Sequence, residues 1–188
     1  SVALSEDASV AWVADEVGHL RALNLAARAA TFASRTLPRV DAPVNDLALA
    51  RDDALLLVAT DGGLVGYETR ALLSDPSVTA PYPEPRLRRD NPQRALAHAA
   101  LAPRPETNAL VLNSSGRAAY TAGGDGRAYA WDLEKEACIV SFEGHAGMLH
   151  AIALREAHSE LVTGSEDGTV RLWDLRSAKC TRVLTPLQ

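Results

Sequence analysis

The stretch LVTGSEDGTVRLWDLR, Leu161 to Arg176, sets apolar residues in alternation with Thr163, Asp167, Trp173 and Asp174. Alternation on both sides of a Glu-Asp-Gly turn predicts two antiparallel strands, about Leu161–Gly164 and Thr169–Asp174. Thr163, Asp167, Trp173 and Asp174 can hydrogen-bond one another around that turn. Either they do chemistry or they tie strands together, and the rest of the chain has to decide which.

Working outward, the same pattern stands 42 residues earlier. Thr121, Asp125, Gly126, Trp131, Asp132 and Cys138 precede Thr163, Asp167, Gly168, Trp173, Asp174 and Cys180 by that one offset, with no gap. Self-similarity at a fixed period marks a repeat architecture. The later unit reads as four short strands, Leu149–Leu154, Leu161–Gly164, Thr169–Asp174 and Thr181–Leu184, separated by the turn signals EDG and RSAK. Four strands every ~40–45 residues is the period of a propeller blade.

With Gly144-His145 ahead of it, the run resembles the WD-repeat family of β-propellers. His145 precedes Trp173 by 28 residues. The fold class implied is all-β: a WD-repeat β-propeller, about four blades of an incomplete ring that is usually seven-bladed. The chain divides as a partial first blade (1–34), a second blade (35–73), a Pro-rich insert (74–105), a third blade (106–143) and a fourth (144–188). Tyr67 stands six residues after Asp61, as Trp173 stands six after Asp167, and so takes the tryptophan's place in the second blade. In the first blade, strands are expected at Val10–Ala14 and His19–Leu25. The insert holds several prolines and the cluster Arg86, Arg88 and Arg89. It reads as a long loop with a worn outer strand, and PQRALAHAALA within it favours a short helix.

Composition bounds the function. The chain has 188 residues, 47% of them apolar and 23% charged, with a net charge of −5. That suits a folded domain and gives no global attraction for nucleic acid. No apolar run is long enough to span a membrane, and no secretory signal opens the chain. Cys138 and Cys180 lack metal-ligand spacing and fall on equivalent strand positions, so no disulfide or metal is expected and an intracellular setting fits. The chain starts at Ser1 and stops where the next Gly-His pair is due, so a piece of a longer protein is expected. Open blades expose apolar faces, and the chain expressed alone is expected to aggregate or oligomerise.

The candidate sites each carry two readings. His145 as base, Asp167 as its orienting partner and Thr163 as nucleophile would make a catalytic set. The resemblance implies instead a buried chain running from the Trp173 indole through Thr163 and His145 to Asp167. It also implies an incomplete copy at Thr121, Asp125 and Trp131, because Pro103 stands where the histidine is due. GGDG at Gly123–Gly126 lacks the spacing and helix of a phosphate loop. His19, His98, His150 and His158 show no metal spacing. No enzyme, cofactor or small-molecule substrate is expected.

Partner binding rests on fewer residues. The stretch fits the sixteen-residue DWD box ending in Trp173, Asp174 and Arg176, similar to receptors that dock the propeller adaptor of cullin–RING ubiquitin ligases. Arg171 and Arg176 are then candidate contacts, since a guanidinium forks two bonds to an acceptor. The Arg86–Arg89 cluster lacks stacking aromatics apart from Tyr82, so RNA contact is expected to be indirect or weak. PETNAL, AGGD, LHAIALRE and EDGTVRLWDLRSAK together resemble the WD-repeat subunits of the THO complex. That resemblance implies a non-catalytic scaffold in the nucleus, bound to other THO subunits and acting in mRNA processing and export. A generic cytoplasmic WD-repeat scaffold is the remaining alternative.

Overall fold

The computed structural model describes residues 1–26, 34–36, 42–73, 85–90, 92 and 106–185. The first sheet joins β1 (Val2–Leu4), β2 (Val10–Ala14), β3 (Leu20–Asn24) and β4 (Ser34–Thr36). The second joins β5 (Val44–Ala50), β6 (Leu55–Thr60), β7 (Gly63–Glu68) and β8 (Leu87–Arg89), with a single helical turn, Thr69–Leu73, after β7. The third joins β9 (Thr107–Leu112), β10 (Ala118–Gly123), β11 (Ala128–Asp132) and β12 (Ala137–Phe142). The fourth joins β13 (Leu149–Arg155), β14 (Glu160–Ser165), β15 (Val170–Asp174) and β16 (Cys180–Leu184). Each sheet is an antiparallel meander in chain order. The fold is four blades of a WD-repeat propeller. No helix among the described residues is long and apolar enough to cross a membrane.

Side chains alternate across each strand, so a blade surrounded by others must bury both faces. β6 does this along its whole length. Leu56 and Val58 pack with Trp12, Ala14 and Leu20 of the first blade. Leu55, Leu57 and Ala59 pack with Leu110, Tyr129 and Trp131 of the third. The third blade's far face, Ala122, Ala128 and Phe142, is covered by Leu149, Leu161 and Trp173 of the fourth. The core is therefore three layers of side chains, each lying between two sheets.

Polar links join the innermost strands. Asn45, Asn108 and His150 each bulge out of the ladder at the start of β5, β9 and β13. Asn45 Nδ2 donates to Thr107 O at 3.0 Å, and Asn108 Nδ2 donates to Leu149 O at 2.8 Å. The bulge aims each asparagine amide at the next sheet, and Asn45 Nδ2 also donates to Asp61 Oδ1 of its own blade at 3.0 Å. Asp46 adds a carboxylate that accepts from Leu110 N at 2.9 Å.

The blade divisions need one correction. β4 runs to Thr36, past the expected boundary at 34–35. The worn outer strand expected inside the insert is β8, which pairs with β7 and completes the second blade. The helix expected over PQRALAHAALA lies outside the described residues, apart from Pro92. In the basic cluster, Arg86 pairs with Glu68 at 3.2 Å. Arg89 donates from Nε to Glu136 O at 2.7 Å and reaches Glu136 Oε2 at 3.2 Å, so it clips β8 to the third blade.

That clip depends on Gly63. Its φ is +125°, and a Cβ there would stand 2.2 Å from Arg89 O. At Gly168, φ is +77° but the space beside it is open. Gly168→Ala should cost only the left-handed penalty of ~1–2 kcal/mol. Gly63→Ala should cost more, because β8 must move. Urea unfolding midpoints check the order, and equal losses would contradict this role for Gly63.

Candidate functional site

The four residues of the opening stretch and its flank meet between β14, β15 and the loop before β13. The indole N–H of Trp173 donates to Thr163 Oγ1 at 2.8 Å. Thr163 Oγ1 lies 2.8 Å from His145 Nε2, and His145 Nδ1 lies 2.8 Å from Asp167 Oδ2. Directions follow from the end that can only donate. Thr163 accepts from the indole, so its own proton goes to Nε2, and Nδ1 carries the proton shared with Asp167. Asp167 also accepts from Ala146 N at 3.0 Å and from Thr169 Oγ1 at 2.6 Å.

The His145 side chain and Thr163 are both 0% exposed. A buried hydroxyl with both roles filled cannot meet a substrate, so this arrangement does not work as a nucleophile and base. It does satisfy donors and acceptors that would each cost ~1–3 kcal/mol if buried alone. Burial pushes the Asp167 carboxyl up. The hydrogen bonds from Thr169, Ala146 and His145 together outweigh that and hold it well below the usual carboxylate range.

In the third blade, Trp131 Nε1 donates to Thr121 Oγ1 at 2.9 Å. Among the described residues no histidine stands beside Thr121, and Asp125 instead takes a short hydrogen bond from the Tyr129 hydroxyl. Burial and that bond push the Tyr129 hydroxyl up. Sequence reasoning missed Tyr129. Its position four residues after Asp125 was visible, but nothing in the spacing showed that its ring turns back. In the second blade, Tyr67 pairs across the ladder with Leu56 and packs in the apolar layer with Val58.

Residues 136–174 match the WD domain, G-beta repeat family. The match begins at the outer strand of the third blade and ends with Asp174, so the sequence repeat straddles two blades. The chain is a WD-repeat protein. It is similar to THO complex subunit 6 of Arabidopsis thaliana, 39% identical over 137 residues, covering 71% of this chain and 37% of that protein. It is similar also to the THO complex subunit 6 homolog of Mus musculus, 47% identical over 75 residues, covering 40% of this chain and 22% of that protein. THO complex subunit 6 of Homo sapiens is 45% identical over 75 residues, with the same coverage of 40% and 22%. The chain thus spans a little over a third of the plant relative's length and less of the mammalian ones.

The remaining WD-repeat residues take separate places. Asp174 Oδ1 accepts from Ser177 N and Ser177 Oγ, both at 2.7 Å, and Asp132 Oδ1 accepts from Glu134 N and Lys135 N, both at 2.9 Å. Ser177 holds Asp174 below its ordinary value, and the Lys135 amide does the same for Asp132. Both carboxylates shape the turn after the third strand. Arg176 is exposed in that turn. Arg171 is half-buried, with its guanidinium over Gly144, and its Nε has no hydrogen-bond partner among the described residues. It does not stand on the surface beside Arg176. Cys138 and Cys180 are free and pair across the ladder with Trp131 and Trp173.

Thr163→Val keeps shape and removes both links. It should cost ~2–4 kcal/mol, as two buried partners lose their bond. Thr121→Val should cost about half as much, since only the Trp131 bond is lost. Denaturant unfolding measures both, and equal costs would contradict the unequal networks. A carboxyl held lower in the fold than in the unfolded chain adds stability that is complete above the ordinary value of 3.8 and fades as pH falls below it. Asp167→Asn should therefore flatten the loss of stability between about pH 4 and pH 2. An unchanged acid limb would contradict that role.

Proposed function

We propose that this chain acts as a non-catalytic scaffold in a THO-type assembly of the nucleus, in mRNA processing and export. The observation that carries the reading is the length of the similarity to the plant THO complex subunit 6. It runs over 137 residues, whereas the generic repeat match spans only residues 136–174. Likeness of that extent goes beyond the hydrogen-bonding residues any WD repeat needs. The filled polar chain supports a scaffold too, because its one candidate nucleophile is sealed in the core. The partners proposed are other THO subunits. RNA contact is proposed to be indirect, since Arg86 and Arg89 already face carboxylates within the chain.

A second reading has one observation in its favour. Arg176 is exposed at the end of the Trp173-Asp174 turn, where a propeller adaptor of a ubiquitin ligase could meet it. Affinity purification of the tagged chain from nuclear extract, with the bound proteins identified by mass spectrometry, tests both. THO subunits should be recovered, and Arg176→Ala should leave them at wild-type yield. Recovery of the ligase adaptor alone, lost on Arg176→Ala, would replace the first reading with the second.

A further inference from the structure

We draw no further inference here: the strongest candidate, the cavity of about 350 Å³ where the turns after β1, β5 and β9 meet, is lined by an acidic cluster, Glu6, Asp52 and Asp53, and no second observation in the structure shows what that cluster would hold.

Discussion

Everything in this molecule depends on one sheet lying on the next. A four-stranded blade has two faces and no core of its own, so it gains stability only when a neighbour covers its apolar side chains. The layers between blades show this directly. Leu56 and Val58 serve one neighbour while Leu55, Leu57 and Ala59 serve the other, within a strand of six residues. A buried aromatic such as Trp173 removes ~150–250 Å² from water, worth about 4–6 kcal/mol at the usual area coefficient. The net gain of one hydrogen bond is nearer ~1 kcal/mol. Packing therefore stabilises more than any single polar link. The polar chain behind Trp173 is what gives that packing a single arrangement.

Taken from the fourth backward, the blades form a graded series. The fourth has indole, hydroxyl, imidazole and carboxylate in a line. The third keeps the indole–hydroxyl bond and gives its carboxylate to Tyr129. The second replaces the set with Tyr67 among apolar neighbours. All three keep four strands and the same stacking. The polar chain is therefore one of several ways to finish a blade, while the apolar faces recur in every one. The Asn45 and Asn108 side chains add a second kind of joint, from the bulge of one innermost strand to the first carbonyl of the next.

Much of this was legible in the residues, and the limits have physical causes. Strands of the fourth blade fall within a residue or two of their expected ends, because strict alternation and Asp-Gly turns leave little freedom in register. The offset of 42 also put Cys138 and Cys180 at equivalent strand positions, and in the structure each pairs with the tryptophan of its own blade. The outer strands of the first and second blades were harder to place, since β4 and β8 have three residues each and no alternation to read. Arg89 could not be assigned from sequence, because its partner Glu136 lies 47 residues away. Arg171 and Arg176 looked alike as neighbouring cations. Strand parity turns the first toward Gly144 and leaves the second in a turn.

The central claim is that blades hold one another through their facing side chains. Phe142 of the third blade and Trp173 of the fourth give the most direct test, with ring centroids 6.0 Å apart in an edge-to-face arrangement. A double-mutant cycle on Phe142→Leu and Trp173→Phe, read by urea unfolding of the intact chain, isolates their interaction from each residue's other bonds. A coupling of about 0.5–1.5 kcal/mol is predicted for such a pair. Additive losses, with no coupling between the two substitutions, would contradict the account.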